Sequence, residues 1–314
     1  MTFLLFFAQQ TFGQTLFSSN VLTGNWNVAG SWTQSGLVDG DGIPDGGDFV
    51  TILNTHNISL NGNRSASSVT INSGGTLTAS GGDLTVTTMT VSAGGTYVHA
   101  VNAGTIPTAT WAATSNCNVT GTVGTIPAGQ AQTFGNFLYN SPGQIGPESF
   151  APTAIAGNLE IQSTNAQQLR LASSPTVSGN FSVTNAASDF IISSGTNRTL
   201  TVSGNVAVSA GVLNLCNTGG EIGTLNVGGD FSHTGGTITE TNTGSGAIVF
   251  NGGTSQTYTS GGTVSNTVNF TVNSGTTLQM AATGTIVSGA GTFTLSSGAT
   301  LGIRSSVGRP VPTP

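Results

Sequence analysis

The chain has 314 residues, of which 47 are glycine, 51 threonine and 35 serine, and its formal net charge is −6. Charged residues make up 5% of the chain and lysine is absent, which excludes nucleic-acid binding because the five arginines cannot neutralise a run of phosphates. A hydrophobic content of 36% with little net charge argues against disorder, no apolar stretch reaches the ~20 residues of a membrane-spanning helix, and glycine lacks the three-residue period of collagen.

An apolar run from Phe3 to Ala8 opens the chain, and small and polar residues follow it. This pattern is typical of the end of a secretory signal peptide that lacks its basic start. We predict that residues 1–14 are the remnant of a signal peptide and that the protein is secreted, either extracellular or attached to the cell surface. A β-strand is the alternative interpretation of the apolar run.

Two tryptophans, Trp26 and Trp32, follow closely in the chain. Such a pair could form an aromatic platform for sugar rings. It could equally cover the open end of a stacked β-structure, which otherwise exposes its apolar core and unpaired strand groups. We favour the cap.

Four of the eleven carboxylates fall within ten residues, at Asp39, Asp41, Asp45 and Asp48. Oxygen ligands at alternate positions around a glycine turn suit Ca²⁺, which takes six or more oxygens. The spacing resembles part of a thrombospondin type 3 calcium repeat, although Leu37 stands where that repeat has its first aspartate. Aspartate and glycine are also ordinary turn residues, so a calcium site and a solvated turn both remain open.

Short stretches with alternating apolar and polar residues run through the rest of the chain, as in Val69–Ile71, Phe181–Val183 and Phe293–Leu295. They end at Gly-Gly, Ser-Gly or Asn-Gly pairs, which are turn signals. No sustained helical period is present. The pattern therefore predicts many short strands, each with one buried and one exposed face.

A five-residue motif of apolar, small, Gly, Asn or Asp, and apolar residues recurs along the second half of the chain. Its glycines are Gly157, Gly179, Gly204 and Gly229, which are 22, 25 and 25 residues apart. A repeat of about 22–25 residues without helical signals is typical of a solenoid whose coils bury their apolar faces by stacking. We expect Gly-Asn to form a corner, because both residues tolerate positive φ, and the stacked Asn side chains to hydrogen-bond along the axis.

The predicted fold class is all-β, a single-stranded parallel β-helix, right-handed by the usual crossover sense, with roughly twelve coils of about 20–25 residues. An array of antiparallel β-sandwiches is the alternative. We divide the chain into a signal peptide remnant (1–14), an N-terminal cap with the first coils (15–102), solenoid repeats (103–300) and a Pro-containing linker or truncated end (301–314). The residues expected to point inward are Val69, Ile71, Val86, Leu159, Ile161, Phe181, Val183, Val206, Val208, Leu225, Val227, Phe231, Phe293 and Leu295.

The residues Gly24–Trp26, Ser31–Trp32 and Gly42–Ile52 resemble the opening of large bacterial surface proteins exported by the type IX secretion route, and are more distantly similar to the G8 domain. Downstream segments at 104–111, 132–140 and 252–278 resemble parts of the same adhesin-like repeat proteins. The resemblance implies a secreted cell-surface β-solenoid, usually of unassigned molecular function. No segment resembles the C-terminal sorting domain of that family, so we expect a fragment of a longer protein.

Few residues indicate a catalytic or metal-binding site. Cys117 and Cys216 match no metal motif, and we expect two buried thiols rather than a disulfide. The histidines His56, His99 and His233 are too far apart in sequence to indicate a metal cluster. The remaining acidic and basic side chains share no motif that would indicate a lyase or glycosidase site.

Threonine is abundant enough for twelve Thr-x-Thr triplets, a pattern that would suit an ice-binding face. Chance in so threonine-rich a chain explains most of them, and we expect that they do not recur at one coil position. The alternative interpretation, which we favour, is that threonine is frequent because it is well suited to the solvent-facing positions of strands.

We therefore predict a non-catalytic secreted cell-surface β-solenoid that serves as a structural or adhesive module, with calcium as its single candidate cofactor. The expected partners are surface glycans or other cell-surface proteins. The alternatives are a carbohydrate-active β-helix enzyme and a glycan- or ice-binding module that uses threonine-rich faces.

Overall fold

A computed structural model describes residues 14–241 and 243–304. These residues form 33 strands and one short 3-10 helix, Ala29–Ser31. The first strands are β1 (Thr15–Ser19), β2 (Thr23–Asn25), β3 (Trp32–Gly36), β4 (Phe49–Ile52), β5 (Asn57–Leu60), β6 (Arg64–Ile71), β7 (Thr76–Ala79), β8 (Leu84–Val91), β9 (Thr96–His99), β10 (Thr110–Trp111) and β11 (Asn116–Val119). The middle strands are β12 (Thr133–Phe134), β13 (Asn136–Asn140), β14 (Glu148–Phe150), β15 (Ala154–Ile155), β16 (Leu159–Ser163), β17 (Gln168–Leu171), β18 (Thr176–Val177), β19 (Phe181–Val183), β20 (Asp189–Ser193), β21 (Arg198–Val202) and β22 (Val206–Val208). The last strands are β23 (Val212–Cys216), β24 (Ile222–Val227), β25 (Phe231–His233), β26 (Thr237–Thr239), β27 (Ser245–Phe250), β28 (Ser255–Ser260), β29 (Thr263–Val264), β30 (Val268–Val272), β31 (Thr277–Met280), β32 (Phe293–Leu295) and β33 (Thr300–Gly302).

The strands stack into four sheets. Sheet 1 has 13 strands and runs the length of the described chain in the order β2-β5-β7-β9-β11-β13-β16-β19-β22-β25-β28-β31-β33. Sheet 2 has six strands in the order β10-β8-β6-β4-β1-β3. Sheet 3 is β12-β15-β18-β21-β24-β27-β30-β32, and sheet 4 is β14-β17-β20-β23-β26-β29.

Parallel pairing confirms the predicted solenoid, which has about twelve turns. Each strand pairs with the equivalent strand of the next coil, and in the described residues the pair β1–β3 alone is antiparallel. The alternative array of antiparallel sandwiches is therefore wrong. The right-handed sense of the winding stays a prediction.

Registered partners in sheet 1 give the length of each coil. Asn57, Thr76, Thr96, Asn116 and Asn136 are partners in successive coils of the first half. In the second half the successive partners are Phe137, Leu159, Phe181, Val206, Phe231 and Tyr258. The coils therefore lengthen as far as the one from Phe231 to Tyr258, and those after it are shorter again. The first coils carry strands in sheets 1 and 2, whereas the later ones carry strands in sheets 1, 3 and 4.

The alternation of apolar and polar residues along each strand determines which side chains form the core. In the four-residue strands of sheet 1 every second side chain is buried, so the apolar half of each alternation fills the interior of the solenoid. Most of the residues predicted to point inward are confirmed: Val69, Ile71, Leu159, Ile161, Phe181, Val183, Val206, Val208, Leu225, Val227 and Phe231 are all at most 1% exposed. Val86 is half-buried against the same core.

Phe293 and Leu295 were predicted to point inward, but neither is buried. They are 38% and 45% exposed, although they stand in register with Phe270 and Val272, which are buried. Their strand, β32, is the last of sheet 3 in the described residues, so no following coil covers it there. Phe293 and Leu295 stand in columns whose other members face the interior. A side chain in a solenoid is buried, however, only where a coil covers it on both sides.

The predicted axial ladder of Asn side chains is confirmed in a specific form. The Oδ1 atom of one corner residue accepts the backbone N–H of the corner residue in the next coil at 2.8 Å. The series runs through Asn136, Asn158, Asn180, Asn205 and Asp230. Each side chain thus satisfies a backbone donor that the turn leaves without a strand partner.

The reason proposed for glycine at these corners is wrong. None of Gly157, Gly179, Gly204 and Gly229 has a positive φ. Glycine is required by close approach instead, because a Cβ on Gly204 would lie 2.5 Å from the carbonyl oxygen of Gly179 and 2.6 Å from Asn180 Oδ1. These glycines also bond directly to one another, with Gly204 N donating to Gly179 O at 3.0 Å.

The N-terminal end of the solenoid is closed by the antiparallel strand β3 and by the two tryptophans. Trp26 and Trp32 pack edge to face with ring centroids 5.2 Å apart, and Phe17 contacts Trp32 in the same manner. The Trp26 indole N–H donates to Pro44 O at 2.9 Å, which ties the loop 37–48 to the cap. The favoured interpretation of the tryptophan pair as a cap therefore agrees with the packing.

The two ends of the predicted domain division fall largely outside the structure. Residues 1–13, which make up nearly all of the predicted signal peptide remnant, lie outside the described residues, and so do residues 305–314 of the predicted linker. The last strand, β33, ends at Gly302 and so reaches into the start of the predicted linker.

Substituting Gly204 by alanine should destabilise the solenoid by about 1–3 kcal/mol, because the added methyl group overpacks the stacked corners. Chemical denaturation of Gly204→Ala beside Gly146→Ala measures the effect. Gly146 has no atom within 4 Å of the added Cβ, so it reports the gain from a stiffer unfolded chain alone. Equal stability of the two variants would contradict the close-approach explanation.

Candidate binding surface

The four aspartates predicted as a calcium site lie together in the loop between β3 and β4, next to the cap. Each carboxylate accepts a hydrogen bond from a loop backbone group: Gly40 N to Asp39 at 2.8 Å, Ile43 N to Asp41 at 2.9 Å, Gly47 N to Asp45 at 3.1 Å and Asp45 N to Asp48 at 2.8 Å. This is the bonding of aspartates in ordinary turns. Residues 14–241 and 243–304 contain no group of three or more acidic, His or Cys side chains arranged to hold a metal ion. Calcium at these residues stays a prediction.

The electrostatics of this loop follow from its hydrogen bonds and burial. The side chain of Asp41 and neighbouring backbone N–H groups lower the pKa of Asp39. Burial raises the pKa of Asp48, and the nearby charges of Asp45 and Asp39 act in the same direction. Asp48 is 6% exposed, so it lies on the buried side of the loop, whereas Asp41 and Asp45 are exposed.

The tryptophans do not form a sugar platform. Trp26 is fully buried and Trp32 is 6% exposed, so neither ring offers a free face to a ligand. Trp111 is half-buried and its indole N–H donates to Gln132 Oε1 at 2.8 Å.

Neither the cysteines nor the histidines of the described residues form a cluster. Cys117 and Cys216 are both buried free thiols, as predicted, and burial raises the pKa of each. His99 and His233 lie inside the solenoid on β9 and β25, with five strands of sheet 1 between them. His56 bonds to Ser19 in the first coils.

Asp189 is an acidic side chain drawn partly into the stack. It is the first residue of β20, and its Oδ1 atom is buried without a hydrogen-bond partner. Burial raises the pKa of Asp189 to about 6, against the opposing charge of Arg170. The Arg170 guanidinium bonds to Gln168 Oε1 at 2.9 Å, so its position on the sheet is fixed by that amide.

A shallow groove of about 330 Å³ on the outer face of sheet 1 was missed by the sequence analysis. Two registered columns of side chains line it, and we call it the amide groove. The corner column comprises Thr96, Asn116, Asn136 and Asn158. The parallel column comprises Asn118, Leu138 and Glu160.

Side chains of the corner column bond to one another, whereas no two side chains of the parallel column do so in the described residues; Glu160 bonds instead to Gln162 and Thr184. Asn136 Nδ2 donates to Asn116 Oδ1 at 3.1 Å, and Asn116 Nδ2 donates to Thr96 Oγ1 at 3.2 Å. Glu160 Oε1 accepts from Gln162 Nε2 at 3.0 Å. The spacing of Asn116, Asn136 and Asn158 by one coil length is the sequence signal that could have revealed the groove, but only with the coil lengths known.

A column of single hydroxyl residues, one from each strand, crosses sheet 2. Thr88–Thr90 and Thr108–Thr110 are Thr-x-Thr triplets that end in it, whereas Thr70 and Thr51 belong to no such triplet. The members of the column are adjacent in register and occupy all six strands: Thr110, Thr90, Thr70, Thr51, Ser18 and Thr33. They point outward, because each is half-buried or exposed while its strand neighbours fill the core. The column has the regular spacing of the strands, ~4.8 Å.

Comparison of the chain with family models, with curated proteins and with solved structures finds no match. In residues 14–241 and 243–304, no helix has the length and apolar character that crossing a membrane requires.

The folded protein should lose stability as the pH rises from about 4 to about 6, because its Asp189 carboxyl holds a proton more tightly than an ordinary carboxyl of pKa 3.8. Below about pH 4 the group is protonated in both states and the stability it contributes is fully present. Asp189→Asn should therefore melt above wild type at pH 7 and match it near pH 4. Thermal melts of both proteins across this range measure the effect, and parallel curves would show that Asp189 is not the cause.

Proposed function

We propose that this protein is a non-catalytic, secreted β-solenoid of the cell surface that serves as a structural or adhesive module. The main support is the unbroken stack of sheet 1, whose 13 strands run from β2 to β33. At ~4.8 Å per strand the stack is about 60 Å long. Such a rod is suited to holding a binding face away from its point of attachment.

The surface chemistry supports the same role. Five arginines and eleven carboxylates among 314 residues leave the outward columns to Thr, Ser and Asn, which interact with water and neutral ligands rather than with charged partners. The backbone ladder bonds neighbouring coils, and the Asn ladder adds a bond at each corner from Asn136 to Asp230, so the coils of this part are held together at their corners as well as along their strands.

The cell-surface location rests on the sequence. The apolar run Phe3–Ala8, which lies outside the described residues, is typical of an export signal, and the opening resembles surface proteins of the type IX route. A surface protein of this kind should be accessible from outside the cell.

Antibodies raised against residues 14–304 should label intact producing cells, because the proposed module is displayed outside them. The matched control is an antibody against a cytoplasmic protein of the same cells, which should label them only after lysis. Detection of the chain only after lysis would overturn the surface location.

A second candidate function is binding to an ordered surface such as ice, which the hydroxyl column favours because its members repeat at the strand spacing. If this column binds ice, the protein should inhibit ice recrystallisation and Thr70→Tyr should abolish the effect. Thr201→Tyr, on the outer face of sheet 3, is the matched control and should keep it. Failure of wild type to inhibit recrystallisation would exclude this function.

A further inference from the structure

The amide groove lies where the solenoid changes its cross-section. Asn116 and Asn136, which are registered partners before the change, are closer in sequence than Phe137 and Leu159, which are partners after it. The register between β13 and β16 also shifts at Tyr139 and Asn140. A shift of this kind bends the sheet locally, which explains a concave surface on this face.

The groove offers the chemistry that recognises sugars. Amide groups of Asn118 and Asn158 can donate and accept hydrogen bonds with hydroxyl groups, and Leu138 supplies an apolar contact for the C–H face of a ring. Glu160 is the one charged residue among the side chains lining the groove. Because the lining carries no cation, it favours neutral or amine-bearing ligands over acidic ones.

The side chains of the groove are held in place before any ligand arrives. The Oδ1 atoms of Asn136 and Asn158 accept backbone N–H groups at 2.8 Å, so each amide has a fixed orientation and its Nδ2 donors are directed by the corner. The side-chain amide of Asn118 makes no hydrogen bond within the described residues and faces the groove. Fixed donors lower the entropy cost of binding.

The two columns repeat along the solenoid axis at ~4.8 Å, the distance between neighbouring parallel strands. A sugar residue in an extended β-1,4-linked chain advances by a similar distance. One sugar per coil would therefore meet equivalent positions in successive strands, from Asn118 through Leu138 to Glu160.

We propose that the amide groove is a binding site for an extended polysaccharide of neutral or amino sugars, which lies along the solenoid axis with one sugar residue per coil. The inference rests on the proposed adhesive role and names the ligand class of that role. Asn118, Leu138 and Glu160 contact the chain, while the corner asparagines orient it.

Isothermal titration of the purified protein with six-sugar β-1,4 oligomers of glucose, N-acetylglucosamine and glucosamine, and with an α-1,4 galacturonic acid hexamer as the acidic probe, tests the proposal. We expect binding of at least one neutral or amino oligomer and none of the acidic oligomer. The affinity for the bound oligomer should fall once its chain is shorter than the three coils spanned by Asn118, Leu138 and Glu160. Binding of the acidic oligomer alone, or of none of the four, would overturn the proposal.

Variants locate the site. Asn118→Ala and Leu138→Ala should each weaken binding about tenfold. Glu160→Gln should weaken the glucosamine oligomer more than the neutral ones because it removes the one charge. Thr201→Ala on sheet 3 is the matched control and should bind as wild type. Asn118→Ala loses no internal hydrogen bond of its side chain, so it should melt like wild type. Unchanged affinity in that folded variant and in Glu160→Gln would overturn the assignment.

The titration and the cell labelling together test the amide groove separately from the calcium site and from the surface location. We expect the protein to bind the oligomer with the same affinity in 5 mM Ca²⁺ and in a chelator, because the groove is remote in sequence from the loop 37–48. This Ca²⁺ concentration is about five times the weak limit of extracellular calcium modules. Binding that requires Ca²⁺ would move the site away from the groove. Labelled intact cells without oligomer binding would refute the groove but leave the surface module standing, whereas oligomer binding without surface labelling would refute the location but not the groove.

Discussion

Successive corners of the solenoid stack closely along the axis, and this contact sets most other features of the molecule. Parallel strands of neighbouring coils lie ~4.8 Å apart, so the backbone at a corner has no room for a side chain that points along the axis. Glycine satisfies this at positions such as Gly179 and Gly204, where an added Cβ would collide with the coil before. The adjacent Asn then bonds to the next coil, because its carbonyl oxygen reaches the backbone N–H that the turn leaves without a partner.

The same stacking makes the outer surface a set of columns rather than a set of isolated residues. A residue type that recurs once per coil becomes a continuous row, as with the hydroxyl groups of sheet 2 and the amides of sheet 1. The amide groove lies where the coil length changes. Local irregularity in a regular solenoid thus produces a shaped surface with convergent amide groups.

Burial in this fold is decided by neighbouring coils as much as by residue type. Phe181 and Phe293 occupy equivalent alternating positions in their own strands, yet one is fully buried and the other is 38% exposed. In the described residues a following coil covers Phe181, whereas the strand of Phe293 is the last of its sheet. Asp189 shows the polar counterpart, since a carboxylate that begins a strand is partly covered by the stack and its pKa rises to about 6.

The residues alone were enough to predict an all-β, coiled chain, because strand alternation and a regular repeat are properties of neighbouring residues and of one period. They also predicted the inward side chains of complete coils, the Asn ladder and the cap formed by Trp26 and Trp32. The loop with four aspartates shows the limit of such inference, since its spacing allows both a metal site and a turn. Which polar residues share a face could be established only from the stacked coils, because register depends on coil lengths that vary along the chain. A shift of one position moves a side chain to the opposite face of the sheet, so the neighbourhood of Asn118, Leu138 and Glu160 follows from the pairing of β11, β13 and β16 and not from their spacing in sequence.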